Sequence, residues 1–324
     1  MPSLAEIREP VAEHLARYDK FVREMLASDS QYITAICDYV LSKRGKQMRP
    51  LLALLSATLN GPVTEESYVG AALVEMVHSA SLVHDDVIDE ADTRRGAPSV
   101  NAVWNSRVAV IAGDYILGRT FYACMRYGNM AIINEVTRAI AEISEGELIQ
   151  TEQTELLTMT ENIYYGIIER KTAALISAAS AVGALSAGAE PGLVEKMRLF
   201  GRYLGIAFQI KDDILDFSPS EITGKPMCGD IRERKITLPL LHILDNATPA
   251  DRAAMIAKLK NAADSPADAQ YLYDAVMRSD SIRYTTRQME RFRQKAMDCL
   301  AEYPPSGEKD NMEKFADFVL QRES

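Results

Sequence analysis

Apolar residues recur with a helical period along nearly the whole chain. Spacings of three and four put them on one face of successive helices, with charged residues opposite. The pattern predicts helices over residues 29–44, 49–60, 64–90, 101–127, 130–154, 161–188 and 193–217. Thr64 stands as an N-cap, with Glu65 and Glu66 in the favourable first turn. Thr248-Pro249-Ala250-Asp251 and Ser265-Pro266-Ala267-Asp268 are two further helix starts. Each has a capping hydroxyl, then proline, then an acid three residues after the cap. No segment of five or more residues alternates as a strand between turn signals, and no linker divides the chain. Residues 1–324 therefore read as one all-α domain with an irregular loop at 218–235.

Composition narrows the class. Apolar residues make up 47% and charged residues 25% of the 324, which excludes a disordered or fibrous chain. The net charge of −10 argues against a nucleic-acid partner. Cys37, Cys124, Cys228 and Cys299 lie far apart, so neither a disulfide framework nor a structural zinc site is expected. The first twenty residues are charged from the start and show no apolar signal-peptide core. Thr172 to Ala189 carries no charge, but its content is mostly Ala, Ser and Gly. A buried, closely packed helix is expected there rather than a transmembrane segment. The protein is expected to be soluble and cytoplasmic.

Two aspartate clusters carry the chemistry. They are Asp85-Asp86-Val87-Ile88-Asp89 and Asp212-Asp213-Ile214-Leu215-Asp216, each at the end of an apolar helix. Positions i and i+4 share a helix face, so Asp85 pairs with Asp89 and Asp212 with Asp216. Like charges at that spacing repel and call for a counter-ion. A solvated acidic helix end explains one cluster more easily than two matching ones. Oxygen ligands without nearby Cys suit Mg²⁺, which takes one or two carboxylates and bridges to substrate phosphates. Cations suited to a diphosphate stand beside the acids or elsewhere in the chain: Arg94 and Arg95, Lys225 and Lys235, Lys171, and Lys46 with Arg49.

With these residues in view, the chain resembles the trans-prenyl diphosphate synthases (polyprenyl synthetases). G-K-x-x-R-P, D-D-x-x-D-x(4)-R-R-G, K-T, F-Q-x-x-D-D-x-x-D, G-K-P and K-I-T-L-P occur in family order between Gly45 and Pro239. The resemblance implies an all-α, single-domain bundle around a deep central cavity, usually a homodimer. It implies head-to-tail condensation of an allylic diphosphate with isopentenyl diphosphate, with three Mg²⁺ per active site. Asp85, Asp89 and Asp212 would ligate metal, supported by Asp86, Asp213 and Asp216. Arg94, Lys171, Lys225 and Lys235 would contact the allylic diphosphate. Lys46, Arg49, His78 and Arg95 would hold isopentenyl diphosphate, and Thr172 and Gln209, with Lys171, would face the reacting carbons. No partner beyond a second copy and a peripheral membrane contact for product release is implied. One departure stands out: the family often has two glycines before its first lysine, and here Arg44-Gly45 precedes Lys46.

Chain length is read from the helix leading to Asp85. Short-chain relatives place bulky aromatics four or five residues before the first motif, where this chain has Ser81 and Ala80, with Val77 a turn deeper. Small residues there point to a medium- or long-chain product, with the floor deeper and a large side chain such as Phe121 or Met125 as a candidate. Small residues also allow plain close packing of helices. A short-chain synthase, a terpene cyclase and a non-catalytic subunit stay as alternatives. The His84-Asp85 doublet of metal phosphohydrolases and the Glu75/His78 pair of di-iron bundles both lack their second halves.

Overall fold

The computed structural model describes residues 2–218 and 228–321. Its helices are α1 (Leu4–Arg8), α2 (Ala12–Leu26), α3 (Gln31–Ser42), α4 (Met48–Asn60), α5 (Glu65–Ile88), α6 (Val100–Val103), α7 (Ser106–Tyr127), α8 (Met130–Leu156), α9 (Glu161–Ile168), α10 (Ala174–Ser186) and α11 (Pro191–Leu215). After the second aspartate motif come α12 (Gly229–Arg232), α13 (Leu238–Asn246), α14 (Pro249–Asn261), α15 (Pro266–Arg278), α16 (Ser281–Leu300) and α17 (Gly307–Gln321). Among the described residues the strands are two short ones, β1 (Thr93–Arg94) and β2 (Ala97–Pro98), paired antiparallel.

The uncharged stretch is the centre of the bundle. Nearly all of α10 is buried, and it packs against α4, α5, α8 and α11. Its small residues are what let four neighbours approach. A Cβ on Gly183 would stand 2.1 Å from the Ala53 carbonyl oxygen, a clash with backbone that cannot move aside. Among the described residues, the helix long and apolar enough to cross a membrane, by length and composition, is instead α7, a third of whose most apolar window is buried. It lies along α5 and leaves Val110, Ile111, Tyr122 and Met125 exposed.

Capping follows the sequence. Thr64 and Ser67 form a reciprocal cap on α5, and Thr248 and Ser265 accept the backbone N–H of Asp251 and Asp268. Two expected helices are each broken. The one over 101–127 divides at Asn105, whose φ of 140° ends α6 while its side chain caps α7 at Val108. The one over 161–188 passes through a π turn at Glu169–Ala173, the segment that carries Lys171 and Thr172. Wider helical turns of this kind re-aim side chains and occur often at functional sites. The C-terminal helices close the bundle: α16 runs along α11, and α17 lies against α4.

Candidate active site

Both aspartate motifs sit where a long helix stops. The Asp89 N–H donates to the Asp85 carbonyl at 2.8 Å, and the Asp216 N–H to the Asp212 carbonyl at 3.0 Å. Each pair of first and last acids is thus kept on one face to the end of the turn. The middle acids do something different. Asp86 is buried and receives Arg94 Nε and Nη2, both at 2.5 Å. Asp213 is buried and accepts from the Tyr164 hydroxyl at 2.5 Å and Gln209 Nε2 at 3.0 Å. They anchor the motifs, while Asp85, Asp89, Asp212 and Asp216 keep access to solvent. Asp216 also accepts the backbone N–H groups of Gly229 and Asp230, which seats α12 beside it.

Negative charge is in surplus here. Burial, then Glu147, raises the Asp85 carboxyl above its ordinary range, with Asp89 adding to it. Burial pushes Asp213 up to about 6, and burial with the charges of Asp213 and Asp216 pushes Asp230 up to about 8. Burial opposes the charge on Lys235, but Glu233, Asp230 and Asp89 outweigh it and raise its pKa. Lys235 thus feels Asp89 of the first motif and lines one cavity with Asp213 of the second. Asp230 was not read from the sequence; an acid five residues before Lys235 was the available signal.

Among the described residues no three His, Cys, Asp or Glu side chains converge tightly enough to hold a metal by themselves. Separated carboxylates with excess negative charge fit a hard divalent ion that completes its shell with water and substrate oxygens. They do not fit a closed protein cage.

The π turn is held between two helices that approach unusually closely. A Cβ on Gly146 of α8 would lie 2.9 Å from the Lys171 nitrogen, and one on Gly205 of α11 would lie 2.6 Å from Ala173 Cα. In that setting Lys171 Nζ donates to Glu147 at 2.9 Å and Gln150 at 3.3 Å. The Thr172 hydroxyl donates to Gln209 Oε1 at 2.7 Å. Lys171, Thr172, Gln209, Asp213, Asp230 and Lys235 line a cavity of about 120 Å³.

A second cavity, of about 390 Å³, brings Lys46, Arg49, His78 and Arg95 together. Arg49 is half-buried; desolvation pulls its guanidinium below the ordinary value and Glu75 pulls it back up. Burial, Arg49 and Arg95 hold His78 well below the ordinary value, so the ring is neutral. The β1–β2 turn delivers Arg95: its φ is 53° and that of Gly96 is 74°, the left-handed pair a tight hairpin requires. Gly45 lets the Arg95 guanidinium lie against the backbone, since a Cβ would stand 2.8 Å from Cζ. Arg44, in place of a family glycine, turns away and pairs with Asp19 at 2.9 Å. Glu75, Phe315 and Phe318 also line this cavity. The last two come from α17, far beyond any legible motif.

Residues 30–276 match the family model for polyprenyl synthetases. The chain belongs to the polyprenyl synthetase family. Octaprenyl diphosphate synthase from Escherichia coli is 33% identical over 322 residues, covering 99% of both chains. Decaprenyl diphosphate synthase from Rhodobacter capsulatus matches in structure with a TM-score of 0.92 and 32% identity, over 99% of both chains. Polyprenyl synthase from Caulobacter crescentus, solved with calcium and isoprenyl diphosphate, gives a TM-score of 0.90 at 30% identity, over 99% of this chain and 98% of that one. This polyprenyl synthetase is a trans-prenyltransferase with the all-α fold.

The remaining expected site residues fall as follows. Arg94 is tied to Asp86 and lines a small recess with Arg95; it is not among the residues lining the Lys171 cavity. Val77 and Ala80 are buried in α5, whereas Ser81 is half-buried and donates to the His78 carbonyl at 2.9 Å. Phe121 is half-buried against the core, and Met125 is 57% exposed, so Met125 cannot be a floor formed within this chain. Lys225 and its G-K-P motif lie outside the described residues.

Proposed function

We propose that this enzyme condenses isopentenyl diphosphate head-to-tail with an allylic diphosphate, with Mg²⁺, to give a medium- or long-chain all-trans polyprenyl diphosphate. The observation that carries the reading is a cavity that gathers Lys46, Arg49, His78 and Arg95, together with a second one in which Lys171 and Lys235 meet Asp213 while Lys235 also feels Asp89 of the first motif. Lys46, Arg49 and Arg95 hold the isopentenyl diphosphate, and the neutral His78 donates without adding charge. Phe208, Phe315 and Leu204 give its alkene an apolar wall.

On the allylic side Asp85, Asp89, Asp212 and Asp216 would hold the metal, with Asp230 adjoining. Mg²⁺ when bound supplies positive charge to the diphosphate leaving group. Lys171 and Lys235 add fixed charge where negative charge develops, so little reorganisation is needed as the C–O bond breaks. The bonding pair leaves with the diphosphate, and the alkene pair of isopentenyl diphosphate forms the new C–C bond. A proton then departs to the released diphosphate. The Thr172 and Gln209 oxygens lie beside the site and favour positive charge on the reacting carbons. Holding both substrates at once supplies much of the rate.

The exposed apolar face of α7, with Leu148 of α8, is the surface we assign to a second copy of the chain in a homodimer. The function is tested by incubating the purified protein with farnesyl and isopentenyl diphosphates and Mg²⁺, then separating the dephosphorylated products by length. A ladder extending past C20 is expected; products of C15 or C20 alone would overturn the chain-length reading and leave the reaction class.

A further inference from the structure

Glu75 is a buried acid in a cavity whose business is to bind an anion. It lies one turn before His78 on α5 and is 4% exposed. It lines the same cavity as Lys46, Arg49, His78 and Arg95. The charges that act on it come from α2, α4 and the segments beside them. Arg49 of α4, Arg44 of the loop before α4 and Arg95 of the β-turn favour its ionised form, and Asp19 of α2 opposes it, as does burial. Tyr18 of α2 faces it as a neutral phenol, held well above the ordinary value by burial and by Glu75 itself. Arg44 has its own carboxylate, Asp19. Glu75 is the acid among the residues that line the cavity with Lys46, Arg49 and Arg95.

An anion-repelling group in an anion pocket is a cost to binding, so its retention needs a reason. The reason is in Arg49. Arg49 is half-buried, its Nε is shut off from solvent with no hydrogen-bond partner, and Glu75 is the charge that raises its pKa against burial and Arg95. A buried charge without a counter-ion is strongly unfavourable. Before isopentenyl diphosphate binds, the counter-ion has to come from the protein.

We propose that Glu75 is the resident counter-ion of the isopentenyl-diphosphate cradle, standing in for the diphosphate while the cavity is empty and keeping Arg49 and Arg95 charged and gathered. This rests on the assignment of the larger cavity to isopentenyl diphosphate. Glu75 is a positioning residue: it acts through the guanidinium groups and touches no reacting atom. Part of the diphosphate's attraction to the cradle is offset by Glu75, so binding is weaker than the cations alone would give. For an enzyme that consumes the same substrate in every cycle this is no handicap, because uniform ground-state binding does not raise turnover.

The prediction is opposite in sign to that for an ordinary substrate-binding residue. Glu75→Gln keeps the shape and removes the charge. The free variant should melt below wild type, because its cations are uncompensated. Isopentenyl diphosphate alone, without allylic partner, should recover most of that loss. The ligand-induced rise in melting temperature should therefore exceed that of wild type, and the dissociation constant should fall roughly tenfold, within the usual range for coupled sites. Glu75→Asp, which restores the charge, should behave like wild type.

Thermal melts and calorimetry of the full chain, with and without isopentenyl diphosphate, make the test. No ligand-induced rise in wild type would refute the cavity assignment itself. A wild-type rise with an equal or smaller one in Glu75→Gln would refute the counter-ion. A Glu75→Gln chain that fails to fold even when prepared in saturating isopentenyl diphosphate would also refute it, because the ligand then cannot replace the missing charge.

Discussion

Tyr164 donates its hydroxyl hydrogen to Asp213 at 2.5 Å, joining α9 to the second aspartate motif. The other oxygen of Asp213 takes Gln209 Nε2, and the Gln209 oxygen takes the Thr172 hydroxyl. A single line of contacts thus runs from Tyr164 to Thr172, the residue proposed to face the reacting carbons. Tyr164→Phe keeps the ring and removes the donor. A hydrogen bond to a charged group is worth about 1.5–3 kcal/mol, so kcat should fall roughly ten- to hundredfold. The KM for isopentenyl diphosphate should not change, since that cavity is separate. Steady-state kinetics with each substrate varied in turn checks this, and an unchanged kcat would remove Tyr164 from the site.

Asp85→Ala and Asp212→Ala should each cut turnover by orders of magnitude while the helical fold persists. Loss of a metal ligand removes charge stabilisation worth several kcal/mol at the leaving diphosphate. The change should also relieve negative charge in the metal-free protein, since Asp85 sits beside Glu147 and Asp89. Asp85→Ala should therefore melt no lower than wild type without metal. A variant that is folded and nearly fully active would defeat the assignment.

Asp230 gives a pH signature. Its carboxyl ionises near 3.8 in the unfolded chain and is pushed up to about 8 in the fold, by burial and by Asp213 and Asp216. Between those values the folded chain holds a proton that the unfolded chain has released. Stability from this group therefore falls as pH rises through the window, and the loss is complete above about 8. Asp230→Asn carries no such penalty. In metal-free buffer its melting temperature should gain steadily on wild type from about pH 5 to about pH 8. Parallel melting curves across that range would sink the account.

The helices, the two motifs and the cations of the larger cavity were all legible in the sequence, because each rests on local spacing. Asp85 and Asp89 share a face by helical period alone, and the bonds to the Asp85 and Asp212 carbonyls confirm the register. What stayed hidden depends on long-range packing. The π turn at Lys171 follows from the close approach of Gly146 and Gly205, which no periodicity reveals. Phe315 and Phe318 reach the cavity because α17 docks on α4. The middle acids Asp86 and Asp213 read as metal support, yet their hydrogen-bond partners make them anchors.

On the proposed function, the two cavities divide the cations between the substrates. Arg49→Ala should raise the KM for isopentenyl diphosphate, because Arg49 lines only the larger cavity among those described. Lys235→Ala should act on the allylic substrate, since Lys235 lies in the basin with Asp230 and feels Asp89. Each loss of a charge-assisted phosphate contact should cost about 1.5–3 kcal/mol, or roughly ten- to hundredfold in the affected kcat/KM. Crossed effects would overturn the division.

The last test concerns product length. On the proposed function the growing chain would leave the basin beside α5, past the turn before Asp85. Of the three small or apolar positions on that approach, Val77 and Ala80 are already buried in packing, while Ser81 is half-buried. A bulky group at Ala80 would have to displace its neighbours, and overpacking of that kind costs about 1–3 kcal/mol of stability. A shorter product from Ala80→Phe would then be hard to separate from a disturbed fold. Ser81 offers a cleaner experiment, because its side chain has room and its one hydrogen bond goes to the His78 carbonyl within the same helix. A helical turn rises about 5.4 Å, close to the length of one isoprene unit. A phenyl ring one turn from the metal-binding acids therefore closes the path after the first few condensations. Ser81→Phe should shift the product ladder to shorter chains, with the rate of the first condensation and the melting temperature close to wild type. Chromatography of dephosphorylated products, with the initial rate on a short allylic primer, reads both effects together. An unchanged ladder would place the elongating chain along another face of α5.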